Sequence, residues 1–124
     1  LGGRVMRKAM VRDGIDLIEL HNGALALSIL PTRGMGLWRG DYHGLRLGWN
    51  APIEGPVHPK YVNLADRGGL GWLAGFDELL CRCGLAFNGP PGTDNGQPLT
   101  LHGRIANSPA NLVEVNVSLD PPYE

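Results

Sequence analysis

The sequence predicts an all-β protein of short antiparallel strands, arranged as a β-sandwich. In several short segments apolar and polar residues alternate, as they do in a strand with one face on a core. Between residues 15 and 49 turn signals recur about every eight to ten residues, a spacing typical of sandwiches and barrels. The 124 residues include 19 Gly and 10 Pro, a composition that disfavours long helices.

The first predicted unit is a β-hairpin. Residues 15–20 alternate well enough for a half-buried strand, and residues 24–30 alternate small and large apolar side chains. Asn22-Gly23 lies between them, and this pair is a strong signal for a tight hairpin turn. Asp13-Gly14 predicts a further turn just before the hairpin.

Two more short strands extend the predicted meander. Residues 31–36 contain Pro and Gly and interrupt the second strand, and residues 37–39 resume extended structure. Residues 41–44 predict another turn, and residues 45–49 alternate again. We therefore expect neighbouring antiparallel strands over this part of the chain.

The second half of the chain is less regular. Residues 50–63 contain three prolines and predict a loop, because proline cannot donate to a central strand ladder. Residues 64–73 predict a short helical turn or a loop, and the apolar run 79–87 predicts a buried strand. Residues 88–98 are rich in Gly and Pro and predict a loop, whereas residues 112–119 alternate cleanly and predict a strand.

Charge and composition exclude several classes of partner. Eleven basic and 12 acidic residues give a net charge of −1, which offers no electrostatic basis for binding nucleic acid or an anionic membrane surface. No apolar run approaches the roughly 20 residues that span a bilayer. The chain starts without Met and ends directly after a predicted strand. We therefore expect an excerpt of a longer polypeptide.

Two cysteines, Cys81 and Cys83, lie one residue apart. Two ligands make a poor zinc site, and the spacing lacks a second pair, so we expect neither a metal nor any other cofactor. A disulfide between residues this close is geometrically unfavourable. We expect two free thiols, at least one of them in the core, since free cysteine is often buried. Reduced thiols indicate the cytoplasm.

The run Leu101-His102-Gly103-Arg104 is the strongest candidate for chemistry. Histidine exchanges protons near neutral pH, glycine allows a ligand close to the backbone, and arginine offers a rigid fork of donors to oxygen-rich ligands. His102 is therefore a candidate general acid or base, and Arg104 a candidate ligand of the substrate. The alternative for His102 is a structural histidine bonded to backbone near a turn.

Four further residues are candidates for substrate binding. Arg33 lies at a strand end between residues that allow close approach, and it is either a clamp for hydroxyls or a solvated turn residue. Arg82 lies between the cysteines, where it reaches a ligand or faces solvent on the outer side of a strand. Trp72 could stack on a sugar ring, although tryptophan is usually a core residue. Asp77 adjoins Glu78, so the two carboxylates do not face each other as a catalytic pair would.

Five short motifs follow one another along the chain. They are Pro-Thr-Arg-Gly-Met at 31–35, Gly-Trp-Leu-Ala-Gly-Phe at 71–76, Cys-Gly-Leu at 83–85, Gly-Pro-Pro at 89–91 and Leu-His-Gly-Arg-Ile-Ala-Asn-Ser-Pro-Ala at 101–110. This ordered set resembles a bacterial family of aldose 1-epimerase-like proteins, which belongs with the galactose mutarotases. The resemblance covers roughly residues 15–119. It implies a large antiparallel β-supersandwich, of which residues 1–124 would form the N-terminal part of a single domain.

The resemblance also implies a role for His102. In galactose mutarotases a histidine in a Leu-His-Gly context lies in the sugar cleft, and His102 matches it. A second histidine is usually the general acid and a late glutamate the base, and neither has a counterpart in this chain. The family pattern has glycine where this chain has Arg104. That change favours an acidic or phosphorylated sugar, or else places an arginine at a strand edge.

The leading hypothesis is therefore a carbohydrate-binding, aldose 1-epimerase-like protein that opens a sugar ring at the anomeric centre by acid–base chemistry. The alternatives are a non-catalytic carbohydrate-binding β-sandwich module and a structural β-domain. The expected partner is a small-molecule sugar, together with either a second copy of the chain or the missing C-terminal part of the same chain.

Overall fold

Five strands form one antiparallel sheet whose spatial order follows the chain, β1-β2-β3-β4-β5. The computed structural model describes residues 4–116, and it describes side chains from residue 9 onward. The strands are β1 Arg4–Met10, β2 Asp16–His21, β3 Leu25–Leu30, β4 Gly36–Tyr42 and β5 Leu45–Leu47. Each strand pairs with the next along the chain, which is the simplest topology for short connections.

The predicted β2–β3 hairpin is confirmed. Leu20 pairs with Leu27 across it. At the turn the Asn22 side-chain oxygen accepts hydrogen bonds from the backbone N–H groups of Ala24 and Leu25, over 3.0 and 2.8 Å. Asn22 thus satisfies the backbone donors of the turn with its own side chain, which explains why the Asn-Gly signal predicts this connection correctly.

A small apolar cluster is buried beside the connection between β1 and β2. Ile15, Leu17 and Leu30 are buried together, with Val11 and Trp38 partly buried against them. Ile15 and Leu30 have no exposed surface. Because this cluster is small, the packing of the irregular second half against the end of β3 and the start of β4 matters for the fold.

Short helical turns and one small hairpin make up the rest of the described chain. The turns are Arg12–Gly14, Pro31–Arg33, Pro59–Tyr61, Asp66–Gly69, Gly71–Ala74 and Ile105–Asn107. Of the two alternatives for residues 64–73, a short helical turn or a loop, the structure has the helical turn. The hairpin pairs β6, Gly92–Asp94, with β7, Gln97–Leu99.

The prediction of a plain loop over residues 88–98 is wrong, because this segment contains the β6–β7 hairpin. Asn95 and Gly96 form its turn with φ of 48° and 77°. Positive φ at both central residues is what the tightest hairpin turn requires, and Asn-Gly supplies it at low cost. Asn-Gly is also the pair that predicted the first hairpin, but here the surrounding prolines and glycines favoured the prediction of a loop.

The prediction of a buried strand over residues 79–87 is also wrong. In place of a ladder there is an isolated bridge between Gly84 and Phe87. Gly84 and Leu85 adopt φ of 84° and 60°, which turns the chain back on itself. An apolar run does not form a strand where consecutive residues take the left-handed conformation.

The cleanly alternating run at 112–119 is not a strand where the structure describes it. Residues 112–116 have no regular structure, and residues 117–119 lie outside the described residues. Just before this run, the Ala110 N–H donates to the Pro31 carbonyl over 3.0 Å. Alternation creates an apolar face, but a strand also needs a neighbour for its backbone groups, and the described residues provide none at 112–116.

The predicted all-β, antiparallel class is confirmed by this sheet and hairpin. Within residues 4–116, no helix has the length and apolarity needed to cross a bilayer.

Candidate functional site

His102 lies just beyond β7 and is held by two backbone contacts. Its N–H donates to the Gly89 carbonyl over 2.9 Å, and its ring Nδ1 lies 3.0 Å from the Asn88 carbonyl. A carbonyl oxygen only accepts, so in the neutral ring Nδ1 carries the hydrogen and Nε2 keeps its lone pair. His102 itself adopts a left-handed φ of 56° and is half-buried. The local fold thus fixes both the position of the ring and its reactive nitrogen.

Trp72 packs against the His102 ring. The ring centroids lie 4.8 Å apart in an edge-to-face arrangement. The Phe76 ring also stacks on the indole, with ring centroids 4.3 Å apart. Trp72 is 3% exposed, and its indole Nε1 finds no acceptor among the described residues. Trp72 therefore restrains the His102 ring, and its buried indole N–H is left without a hydrogen-bond acceptor in the described part of the chain. Its role in binding sugar stays a prediction.

Arg33 is buried in a polar network of its own. It ends the 3₁₀ turn after β3 and is 1% exposed. Its Nε donates to Glu78 Oε1 over 2.7 Å, and its Nη1 donates to the Val57 carbonyl over 2.7 Å and to Asn107 Oδ1 over 3.1 Å. The Arg33 guanidinium thus connects three segments that are far apart in the sequence. A role for Arg33 in substrate binding stays a prediction.

Glu78, the partner of Arg33, is a buried carboxylate that was not among the predicted site residues. It is 1% exposed, and its second oxygen, Oε2, accepts from the backbone N–H of Asp77 over 3.1 Å. A buried arginine requires an acceptor charge, so the burial of Arg33, had it been foreseen, would have pointed to a carboxylate.

Arg82 is half-buried, so the expectation that it faces solvent on a strand is wrong. Its guanidinium donates to the backbone carbonyls of Arg33 and Gly34, over 2.6 Å for Arg33. These carbonyls end the turn after β3, where Gly34 takes a left-handed φ of 59° and leaves them open to a donor. Burial lowers the pKa of Arg82, and the nearby Arg33 adds to that effect while Glu78 opposes it.

Asp77 and Arg104 differ sharply in exposure. Asp77 is 9% exposed, and its Oδ2 accepts from the Trp38 indole over 2.9 Å. Asp77 and Glu78 take different partners, in agreement with the expectation that they do not act as a facing pair. Arg104 is exposed and follows His102 by two residues.

The structure brings four of the six candidate residues together in two pairs. The rings of His102 and Trp72 are in contact, and the Arg82 guanidinium donates to the Arg33 carbonyl.

Cys81 and Cys83 are both exposed free thiols, so the prediction that at least one lies in the core is wrong. The two sulfurs lie near each other, whereas the guanidinium of the intervening residue, Arg82, donates to the Arg33 and Gly34 carbonyls. The structure also brings His102 to the two cysteines: one ligand-type atom from each of the three residues lies within 4.8 Å of the others. Partial burial raises the pKa of the Cys81 thiol, and the neighbouring Cys83 raises it further.

An open groove lies beside this region, between the helical turn Asp66–Gly69 and the β6–β7 hairpin. Its volume is about 470 Å³, and it is lined by Ala65, Gly68, Gly69, Pro91, Gly92, Thr93, Pro98, Leu99 and Thr100. None of the predicted site residues lines it. The backbone N–H of Leu101 donates to the Gly69 carbonyl over 2.9 Å, which couples the groove wall to the segment that carries His102.

A family model described as Domain of unknown function (DUF4432) matches residues 12–124. The chain belongs to the DUF4432 family. No curated protein matches this DUF4432 chain.

The DUF4432 chain is similar to a solved structure from Klebsiella pneumoniae subsp. pneumoniae MGH 78578, described as that of a "putative aldose 1-epimerase". The two are 42% identical with a TM-score of 0.83, over 98% of this chain and 32% of the other. The chain thus spans about a third of that protein. The similarity confirms the resemblance to aldose 1-epimerase-like proteins and the sandwich-type all-β fold, of which these residues form a part.

Proposed function

We propose that the full-length protein containing this DUF4432 chain binds a sugar and interconverts its anomers, with His102 in the sugar cleft. The observation that carries the proposal is the 42% identity, at a TM-score of 0.83, to a protein described as a putative aldose 1-epimerase. We further propose that residues 1–124 form the N-terminal part of a single mutarotase-like domain. The remaining catalytic groups would then come from outside these residues.

The geometry of His102 suits this chemistry. Nδ1–H is committed to the Asn88 carbonyl, so Nε2 can accept a proton from a sugar hydroxyl or, once protonated, donate to the ring oxygen. Trp72 and Asn88 hold the ring in one orientation, which reduces the cost of positioning it against a substrate. Ring opening needs both a donor and an acceptor on the same sugar, so His102 would be one member of a set.

The remaining candidates differ in what they offer a sugar. Arg104 is exposed and free to approach a carboxylate or phosphate substituent. Trp72 and Arg33 each retain a buried N–H group without an acceptor in the described part of the chain, at Nε1 and Nη2. Arg82 and Asp77 hold backbone carbonyls and the Trp38 indole, and would act mainly by shaping the cleft wall.

The test is anomer exchange measured by NMR on the full-length protein, with a panel of neutral aldoses, uronic acids and sugar phosphates. His102→Asn is the informative variant, because asparagine tolerates the left-handed conformation at this position. His43→Asn is the matched control, an exposed histidine with φ of 51° on the turn between β4 and β5. We expect His102→Asn to slow exchange about a hundredfold or more and the control to leave it unchanged.

Three other results would redirect the proposal. An unchanged rate in His102→Asn would remove His102 from catalysis. Sugar binding by calorimetry without any exchange in the wild-type protein would identify a non-catalytic carbohydrate-binding module, and absence of sugar binding would favour a structural β-domain.

Two exposed free thiols would persist most readily in a reducing compartment, so the cytoplasm is the location we propose. A small-molecule sugar is the proposed ligand. The further partner we propose is either a second copy of the chain or the rest of the same polypeptide.

A further inference from the structure

We propose that Cys81, Cys83 and His102 form a binding site for a thiophilic metal ion of the zinc type. One ligand-type atom from each residue lies within 4.8 Å of the other two, although His102 comes from a separate segment of the chain. Two sulfurs and one imidazole nitrogen form a donor set that favours zinc over magnesium or calcium, which prefer oxygen. This inference does not depend on the proposed reaction with sugars.

The hydrogen bond of the His102 ring leaves one ring nitrogen free to bind a metal. A metal-bound imidazole usually donates its other ring N–H to a carboxylate or a backbone carbonyl, which fixes the tautomer and raises the basicity of the coordinating nitrogen. Here Nδ1 lies 3.0 Å from the Asn88 carbonyl, so Nε2 is the nitrogen left for a metal. The edge-to-face contact with Trp72 restrains the ring further. The contacts of His102 with Asn88 and Trp72 are observations independent of the proximity of the three ligands.

The cysteine segment is also anchored. Leu79 N–H donates to the Leu37 carbonyl over 2.7 Å at one end, and Gly84 N–H donates to the Phe87 carbonyl over 2.9 Å at the other. Between them the Arg82 guanidinium is held inward by the carbonyls of Arg33 and Gly34. With the middle residue pinned inward, the two flanking thiols are presented together on the outer side.

The distances suit a tetrahedral ion after a small adjustment. Zinc bonds of about 2.3 Å to sulfur and about 2.0–2.1 Å to nitrogen place tetrahedral ligand atoms roughly 3.5–3.8 Å apart. The present upper limit of 4.8 Å therefore needs to close by about 1 Å, within reach of rotations of the exposed Cys81 and Cys83 side chains. On binding, each thiol releases its proton to solvent and bonds as a thiolate, so two thiolates balance the charge of Zn²⁺.

Three protein ligands leave a fourth position for water or for a ligand atom. Metal binding and proton transfer both use the lone pair on His102 Nε2, so one ring cannot do both at once. The loaded and metal-free forms of the site are thus chemically distinct. Cys81→Ser and Cys83→Ser separate them, because they remove metal ligands and leave His102 intact.

The test uses the full-length protein, reduced and treated with a chelator, and titrated with Co²⁺ under anaerobic conditions. We expect a thiolate-to-cobalt charge-transfer band, and displacement of Co²⁺ by Zn²⁺. Cys81→Ser, Cys83→Ser and His102→Asn should each weaken binding at least tenfold, and His43→Asn should bind as the wild type does. Absence of the band, or equal affinity in the variant with both cysteines replaced, would overturn the site.

A second measurement needs no variant. Alkylation of the wild-type thiols, mapped by mass spectrometry, should be rapid in the metal-free protein, because both thiols are exposed. Zn²⁺ should protect Cys81 and Cys83 together. Equal alkylation with and without Zn²⁺ would reject the proposal, and so would oxidation of the two thiols to a Cys81–Cys83 disulfide in air that proceeds equally with and without added Zn²⁺.

Discussion

Arg33 and Glu78 form an ion pair with almost no access to water: Arg33 Nε lies 2.7 Å from Glu78 Oε1, and the side chains are 1% and 2% exposed. Removing two charges from water is costly, and the cost is recovered only when each finds further partners. Arg33 finds them in Val57 and Asn107, and Glu78 in the backbone N–H of Asp77. The pair thus ties the turn after β3 to three otherwise irregular segments.

Breaking this pair from one side should destabilise the protein strongly. We expect Glu78→Gln and Arg33→Met each to lower the free energy of unfolding by about 3–5 kcal/mol, because each leaves an uncompensated buried charge or acceptor. Urea denaturation of the full-length protein, followed by fluorescence, measures the change. Asp13→Asn is the control, since Arg12 and Asp13 form an exposed pair at 3.4 Å whose loss should cost at most about 1 kcal/mol, and asparagine tolerates the positive φ of this position. Equal losses from both pairs would contradict this account.

Gly71 is required by close backbone approach. A Cβ built at this position would lie 1.7 Å from the Asn63 carbonyl oxygen, and backbone cannot move aside as a side chain can. Gly71→Ala should therefore cost about 3 kcal/mol or more and displace the following residue, Trp72. Thermal unfolding and near-ultraviolet circular dichroism report the two effects. Gly92→Ala is the matched control, because its nearest neighbour would be 4.0 Å away, and its melting temperature should barely change.

Trp72 separates packing from hydrogen bonding. Trp72→Ala should cost about 3–5 kcal/mol through the cavity beside Phe76 and His102. Trp72→Phe should retain most of that stability, since the indole Nε1 has no acceptor among the described residues to lose. If this N–H binds a sugar hydroxyl, Trp72→Phe will weaken sugar binding by calorimetry while the fold stays intact. Unchanged binding in Trp72→Phe would remove the indole N–H from the site.

The regular half of the fold was predictable because its signals are local. The Asn22-Gly23 turn and the alternation around it act within a hairpin, so residues 15–30 were predicted correctly. The run at 79–87 failed for the opposite reason. Gly84 and Leu85 take positive φ, and Arg82 donates to carbonyls far away in sequence, at Arg33 and Gly34. No periodicity within the segment records either feature.

The site was partly predictable from residue chemistry. His102 was identified from its neighbours and its resemblance to a family motif, and the structure adds the Asn88 carbonyl that fixes its tautomer. The sequence did not predict that His102 lies close to Cys81 and Cys83, because this proximity depends on how two separate segments of the chain pack together. The spacing of the cysteines offers only two ligands, and the third arrives through tertiary structure.

Arg82 gives the sharpest test of how the fold presents the thiols. Its guanidinium holds the carbonyls of Arg33 and Gly34, so Arg82→Met keeps much of the volume but removes both hydrogen bonds. We expect a loss of about 1.5–3 kcal/mol in the free energy of unfolding, as for hydrogen bonds to a charged group. Because the segment between Leu79 and Gly84 would lose its inward anchor, Co²⁺ binding should also weaken, although Arg82 is not a ligand. Arg104→Met, at an exposed arginine, is the control for both measurements. Wild-type metal affinity in a destabilised Arg82→Met protein would show that the thiols hold their positions without this anchor.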